Sequence, residues 1–320
     1  MKAFVTGAAG MMGSHLLDFL ADRDIEALGI DIVPRADFKD CNPRATYVEC
    51  DIRDEQKLSS VLAEFAPSIV VHLAAQAHPV ISWAKPRYTT EVNVIGTINV
   101  FEIVKDRLPD TVIVNACSSA QYGFTQPHEV PVKETKRQQP LHPYGITKVA
   151  QELLAYQYLY NFQVKSVSLR IFNTTGPRKI NDACSDWVRQ LARMEKGLQT
   201  PSLRVGNLDA KRAITDVRDL IEACWLSAHK GEVGAAYNVS GERVFRMGDI
   251  IPILRELTAI SFDVVQDPVL MRPNDEEIVY GDSSSFRLRT GWEPKISLKQ
   301  TLSDMLDYWM KTDDAGKTYQ

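Results

Sequence analysis

Lys2-Ala3-Phe4-Val5-Thr6-Gly7-Ala8-Ala9-Gly10-Met11-Met12-Gly13 decides the fold of this chain. A short apolar run enters the stretch, and a helix-like segment, 14–22, leaves it. Glycines at 7, 10 and 13 allow a tight strand-to-helix turn, let backbone N–H groups approach a pyrophosphate, and let the helix pack closely on its strand. The spacing alone is also met by ordinary glycine turns, so the context matters. The next apolar run, 26–30, ends in Asp31, eighteen residues after Gly13, where a carboxylate can hold the adenosine ribose hydroxyls. Strand, turn, helix and acid together predict a bound dinucleotide. An acid at the ribose repels a 2′-phosphate and so favours NAD over NADP, with Arg35 as the nearby cation that would soften the preference.

Outward from this turn, apolar strand-like runs recur at 2–6, 27–31, 46–51, 69–73, 111–117 and 164–171, separated by segments of helical periodicity. This is the βαβ alternation of a doubly wound parallel α/β (Rossmann) sheet. The runs are continuous rather than alternating, as in strands covered by helices on both faces. From residue 173 the texture changes to Gly176-Pro177, a helical stretch at 186–196, Pro201, and an extended segment at 205–213. A helix at 217–228 and a strand at 237–239 return to the sheet, and helical patterns at 247–257 and 298–309 follow. The expected division is a cofactor domain of 1–172 plus 214–240, with a smaller discontinuous substrate lobe of 173–213 plus 241–320.

With 320 residues and 44% hydrophobic content, the chain can bury one large core and a smaller one. A net charge of −4 without a basic run leaves no electrostatic footprint for nucleic acid or for an anionic membrane. Five cysteines, odd in number and without metal-ligand spacing, read as reduced thiols of a cytoplasmic protein. No apolar stretch reaches the roughly 18 residues of a membrane span. The histidines at 15, 72, 78 and 142 converge with no acid cluster, so no metal is expected.

Pro143 suits the first turn of a helix, and Tyr144 and Lys148 then share one helix face at i and i+4. An ammonium beside a phenol, with the positive charge of an oxidised nicotinamide, would lower the phenol pKa toward working pH and fit Tyr144 for proton exchange with a sugar hydroxyl. Spacing alone does not separate such a pair from a coincidental one in a chain with 11 tyrosines and 37 basic residues. Ser118 closes an apolar strand at a carboxyl end, where ligands bind in open α/β sheets, although a serine there also serves as an ordinary turn residue.

Across nearly the whole chain, Thr6 to Gly13, His72-Leu73-Ala74-Ala75-Gln76, Asn93-Val94-Ile95-Gly96-Thr97, Cys117-Ser118-Ser119-Ala120-Gln121-Tyr122-Gly123, Pro143-Tyr144-Gly145-Ile146-Thr147-Lys148, Leu169-Arg170-Ile171-Phe172-Asn173 and Met271-Arg272-Pro273 follow one order. In these motifs the chain resembles the extended short-chain dehydrogenase/reductases of the nucleotide-sugar epimerase/dehydratase type. The resemblance implies a catalytic set of Ser118, Tyr144 and Lys148. It implies cofactor contacts from Gly7, Gly10, Met11, Met12, Gly13, Asp31, Asp51, Ile52, Leu73, Ala74, Ala75, Gln76, Asn93, Tyr144, Lys148 and Phe172. Substrate contacts would come from Ser119, Asn173, Arg178, Asn207, Arg212, Arg272 and Asp275, with Arg212 and Arg272 on the diphosphate. It also implies a homodimer through helices at 91–107 and 143–160, lined by residues such as Val94, Ile98, Phe101, Leu154 and Tyr158.

Within the family, residues 206–212, Gly-Asn-Leu-Asp-Ala-Lys-Arg, resemble GDP-mannose 4,6-dehydratases and GDP-4-keto-6-deoxymannose reductases, which favours a GDP-linked sugar. The dehydratases carry a glutamate two places before the Tyr-Gly pair; here that place is Ala120, which cannot take the proton beside a 4-ketone. Glu129 or Glu134 is the alternative base. The expected activity is therefore reduction at C4 of a 4-keto-6-deoxyhexose nucleotide, ahead of a 4-epimerase with tightly held NAD and then a 4,6-dehydratase. A nucleotide-sensing protein without turnover is the non-enzymatic alternative, opposed by the intact Ser-Tyr-Lys set.

Overall fold

In Ile69-Val70-Val71-His72 every side chain is buried, so the segment has no face to give to water and belongs inside a parallel sheet. The computed structural model describes residues 1–271 and 276–312. Its first half alternates β1 (Lys2–Thr6), α1 (Met11–Ala21), β2 (Glu26–Asp31), β3 (Thr46–Glu49), α2 (Glu55–Phe65), β4 (Ile69–His72), α3 (Pro79–Ala84), α4 (Pro86–Thr90), α5 (Gly96–Arg107), β5 (Val112–Ser118), α6 (Pro143–Phe162) and β6 (Ser166–Ile171). Then follow β7 (Thr174–Thr175), α7 (Ala183–Glu195), β8 (Ser202–Val205), β9 (Lys211–Ala213), β10 (Thr215–Asp216), α8 (Val217–Lys230), β11 (Ala236–Val239), β12 (Val244–Arg246), α9 (Ile250–Glu256), β13 (Asp263–Gln266), β14 (Ile278–Val279), α10 (Ser284–Thr290) and α11 (Leu298–Lys311).

The main sheet has seven parallel strands in the order β11-β6-β5-β4-β1-β2-β3. Leu16, Leu17 and Leu20 of α1 and Leu220 and Ile221 of α8 cover one face. Leu58 and Leu62 of α2, Val100, Phe101 and Val104 of α5, and Tyr158 of α6 cover the other. The strand order reverses between β1 and β4, so their carboxyl ends open the crevice in which ligands of such sheets bind. A separate core joins Trp187 and Leu191 of α7, Leu203 of β8, Leu254 of α9 and Leu302 of α11. Beside it, β9 lies between β12 and β14 in a three-stranded sheet.

Salt bridges and hydrogen bonds hold the first helix to the later part of the chain. Arg178 lies 2.8 Å from Asp18 of α1 and 3.5 Å from Asp40. Tyr308 of α11 donates its hydroxyl to the same Asp40 at 2.8 Å.

Residues 86–107 are not one regular helix. Between α4 and α5 the backbone forms a π-helical turn, Glu91–Ile95, that draws Asn93 into the interior. The interface expectation needs correcting here as well. Phe101 and Tyr158 are 0% and 5% exposed and belong to the chain's own core, because α5 and α6 meet through them. The apolar side chains that α6 leaves outside are Ile146, Leu153, Tyr156, Tyr160 and, at its end, Phe162, with Ile95 exposed on the π turn.

Candidate active site

Two loops meet at the strand-order reversal, and glycine sets their spacing. Gly7 has φ +72°, and a Cβ there would lie 2.8 Å from the Ala74 nitrogen; a Cβ on Gly13 would lie 2.2 Å from the Gly7 carbonyl oxygen. The turn therefore accepts only glycine at these two places. Gly10 caps α1 without a side-chain hydrogen bond, and no acid stands in the first turn, so the amides at Met11, Met12 and Gly13 meet an uncontested positive helix end. Asp31 closes β2 next door. Its carboxylate accepts from the N–H groups of Ala9 at 3.0 Å and Val33 at 3.3 Å, while burial raises its pKa above the usual carboxylate value. Arg35 donates to the Phe38 carbonyl oxygen. A narrow glycine cradle, a free helix end and a half-buried acid fit a dinucleotide.

On the β4 side, Leu73, Ala74 and Ala75 are half-buried beside this turn, and Gln76 is buried. Asn93 accepts from the Gln76 N–H at 2.7 Å and donates to Thr147 Oγ1 at 2.9 Å, which ties the β4 loop to α6. Further along the crevice, Asp51 is paired with Arg53, which holds its carboxyl below the usual range. Ile52 packs closely against Gly96, and its carbonyl accepts from Asn99 at 2.9 Å. Phe172 is buried with its ring against Tyr122 at 6.2 Å and against Gly281.

Ser118 ends β5 and caps a 3-10 turn, Ser119–Gln121, accepting the Ala120 N–H on its hydroxyl while its own N–H reaches Gln121 Oε1 at 2.9 Å. The first turn of α6 comes directly against that turn, because a Cβ on Gly145 would sit 2.6 Å from the Ala120 carbonyl oxygen. His142 caps α6 by accepting the Gly145 N–H at 3.0 Å and stacks beside Tyr144. Tyr144 thereby comes near Ser118, which opposes the rise of its phenol pKa. Lys148 lies with Nζ 5.8 Å from the Tyr144 ring centre and donates to the Ala116 carbonyl oxygen at 2.7 Å. The three side chains named from the motifs thus come together.

The electrostatics differ from the expectation. Burial pushes the Tyr144 phenol up to about 12, opposed by the Ser118 hydrogen bond, and burial brings the Lys148 ammonium down to about 8. The protein's own groups hold the phenol protonated.

Behind Ser118 lies a buried polar network in which the motif residues Gln121, Tyr122 and Arg170 meet Glu152, Gln138 and Asn238, which no motif marks. Arg170 Nε donates to Glu152 Oε2 at 2.8 Å, Gln121 donates to the same oxygen at 2.9 Å, and Gln138 donates to Glu152 Oε1 at 2.8 Å. Tyr122 joins through bonds with Arg170 and Asn238. Gln121 is thus held while it holds the Ser118 backbone.

Of the expected substrate residues, Ser119 opens the 3-10 turn, and Asn173 lies two places beyond Ile171, the register partner of Ser118. The Asn173 amide nitrogen is buried with no acceptor among the described residues, which fits a ligand at this point. Arg212 lies on β9 and donates to the carbonyl oxygens of Lys211 and Glu276, and Asn207 accepts from the Asp209 N–H in the turn before it. Arg178 is engaged with Asp18 and Asp40. Arg272 and Asp275 lie outside the described residues. Glu129, the first alternative base, is paired with Lys136 on the surface; Glu134 accepts the Asn238 N–H at 2.9 Å.

Burial of two histidines near the dinucleotide turn makes folding pH-dependent. His15 is lowered to about 4 by burial and then by Arg178, and His72 to about 3 by burial and then by Lys148. The unfolded chain protonates both near 6.5, so the folded state has full stability from these groups above that pH and loses it as pH falls toward 4. The urea midpoint should decline across this window, and His15→Gln should flatten the decline. A midpoint as flat in the wild type as in the variant would show that His15 titrates alike in both states.

The comparisons with known proteins cover nearly the whole chain. A family model described as GDP-mannose 4,6 dehydratase matches residues 4–305. The GDP-6-deoxy-D-mannose reductase of Pseudomonas aeruginosa is 29% identical, over 96% of this chain and 97% of its own. A GDP-mannose 4,6-dehydratase of Vibrio cholerae is 27% identical, over 95% and 92%. Among solved structures, RMD from Pseudomonas aeruginosa complexed with NADPH superposes with a TM-score of 0.84 at 28% identity, covering 97% of this chain and 98% of that one. The UDP-glucose 4-epimerase of Thermotoga maritima with UDP-glucose gives 0.88 at 26% identity, with the same coverage. With its glycine cradle, its Ser118, Tyr144 and Lys148 cluster, and a match spanning 4–305, the chain belongs to the GDP-mannose 4,6 dehydratase family of extended short-chain dehydrogenases/reductases.

Proposed function

We propose that this enzyme reduces the 4-ketone of a GDP-linked 4-keto-6-deoxyhexose at the expense of a reduced nicotinamide dinucleotide. The observation that carries the reading is the meeting of Ser118, Tyr144 and Lys148 beside Ala120. A reduced nicotinamide dinucleotide held by the Gly7–Gly13 turn and Asp31 would supply the hydride for C4. Tyr144 gives its phenolic proton to the oxygen at C4, Ser118 donates a hydrogen bond to the same oxygen, and the Lys148 ammonium stabilises the phenolate left behind. A phenol held protonated by burial suits this direction, since the group must act first as an acid. Dehydration would need a base beside the ketone; Ala120 has none, and Glu129 and Glu134 are bound elsewhere. Ser119, Asn173, Asn207, Arg212, Arg272 and Asp275 are the groups we assign to the sugar nucleotide, with Arg178 bracing the loop behind them. We assign residues 1–172 plus 214–240 to the cofactor half and 173–213 plus 241–320 to the sugar half, although Phe286 and Trp292 of the latter pack into the core of the main sheet.

Purified enzyme supplied with GDP-4-keto-6-deoxymannose should consume one NADH per sugar reduced, and Tyr144→Phe should lower kcat by about 10²-fold or more while keeping the fold. Release of a 4-keto-6-deoxy product from GDP-mannose would overturn the reading. One observation favours a second: Asp31 suits a retained NAD, and the epimerase likeness is high. Exchange of two C4 isomers at constant nicotinamide absorbance would establish that activity instead.

Asp31 also sets the cofactor preference that we propose. A 2′-phosphate would meet a carboxylate already facing the ribose position, so NADH should bind at least about tenfold more tightly than NADPH, one unfavourable charge contact at partial burial being of that order. Fluorescence titration of the cofactor-free enzyme reads this directly. Equal affinities would transfer control to Arg35.

We further propose a homodimer through α6 and the helix around the π turn. The support is the exposed stripe Ile146, Leu153, Tyr156 and Tyr160 with Ile95, spaced along one face of α6. Leu153→Asp should convert the dimer to a monomer in light scattering, whereas a wild-type monomer at micromolar concentration would refute the assembly. Among the described residues no helix is long and apolar enough to cross a membrane. The five free cysteines support a cytoplasmic site of action.

A further inference from the structure

His72 is a buried titratable side chain that the reaction above does not use. It closes β4 directly beside Thr6 in the register of β1 and β4, and it is 1% exposed. Its ring has a partner on each side. Nδ1 lies 2.8 Å from Thr6 Oγ1, and Nε2 lies 2.9 Å from Thr97 Oγ1.

The direction of both bonds follows from what the two hydroxyls already do. Thr6 Oγ1 accepts the N–H groups of Leu73 and Ala74, each at 3.1 Å, so its own proton is what it has left to give, and Nδ1 must accept it. Thr97 donates to the Asn93 carbonyl oxygen at 2.6 Å and accepts from Gln151 Nε2 at 2.7 Å. Its remaining lone pair can only accept, so Nε2 must carry the ring proton. Two independent ends fix one tautomer. The opposite tautomer would break both bonds at once.

We propose that neutral His72, protonated on Nε2, is a positioning residue that couples the dinucleotide turn to the helix carrying Tyr144 and Lys148; the role rests on the function proposed above. Through Nδ1 it orients the Thr6 hydroxyl, which pins the Leu73-Ala74 backbone where Gly7 passes with no room for a Cβ. Through Nε2 it orients Thr97, which pins the Asn93 carbonyl in the π turn. Asn93 in turn holds the Gln76 N–H and Thr147, the residue before Lys148. Gln151, three places beyond Lys148, closes the circuit on Thr97. A planar ring presents acceptor and donor at a fixed separation, so the two loops share one register. Burial and the nearby Lys148 ammonium keep the ring from taking a second proton that would erase the acceptor.

Two substitutions separate the two ends. His72→Asn puts an amide oxygen in the place of Nδ1 but does not reach Thr97; His72→Gln reaches Thr97 with an amide nitrogen but leaves Thr6 without its acceptor. His72→Asn should keep the NADH dissociation constant within about threefold and lower kcat about tenfold, and His72→Gln should do the reverse at saturating NADH, one lost hydrogen bond being of this size. Thermal melting confirms that both variants fold. In the wild type, long-range proton–nitrogen NMR of the imidazole should show the proton on Nε2 at neutral pH. A proton on Nδ1, or variants that change affinity and kcat together or not at all, would overturn the proposal. The tautomer and the NADH constants do not depend on which sugar nucleotide is turned over. If GDP-4-keto-6-deoxymannose is not reduced, the functional reading fails while these two measurements still decide the role of His72.

Discussion

Everything in the site depends on how closely backbone can approach backbone where β1 and β4 end. At Gly7 the distance to Ala74 is too short for any side chain carbon, and at Gly145 the same holds against Ala120. The first contact brings the two sides of the dinucleotide crevice together. The second brings the phenol of Tyr144 to the hydroxyl of Ser118. A methyl group at either place would have to be accommodated by moving backbone that is hydrogen-bonded on both sides, so the chemistry is set by two absences of atoms.

Burial then does the electrostatic work. Removing water from the pocket disfavours charge on both members of the Tyr144 and Lys148 pair, in opposite directions on the pH scale. The result is a phenol that holds its proton, the state that the proposed reduction asks of Tyr144. The Arg170 and Glu152 pair is buried behind the same turn and stays ionised because each partner is saturated with hydrogen bonds from Gln121, Gln138 and Tyr122.

The elements that were legible in the sequence are those whose physics is local. The glycine turn followed by Asp31 at a strand end declares itself within a few dozen residues, and continuous apolar runs declare a sheet covered on both sides, whereas the i, i+4 spacing of Tyr144 and Lys148 gains meaning only from the motif order along the chain. Strand limits moved by one or two residues, as at β4 and β5. What stayed hidden depends on partners far along the chain. The π turn exists because Asn93 reaches both Gln76 and Thr147, and His142 serves as a helix cap by an unusual side chain for that place. Phe101 and Tyr158 have the periodicity of an outward stripe, yet α5 and α6 use them to hold each other. Periodicity identifies an apolar face without saying which neighbour it meets.

The seventh strand of the sheet has a consequence for how the molecule is made. β11 is supplied by residues 236–239, after the chain has already left the sheet to build α7, β8 and β9. Until that segment emerges from the ribosome, β6 is an open edge with a full row of unpaired N–H and carbonyl groups, flanked by apolar side chains that want cover. Tyr308 meets Asp40 later still, across 268 residues. The sheet begun by the first half of the chain is therefore closed on this side only by a strand from its last third.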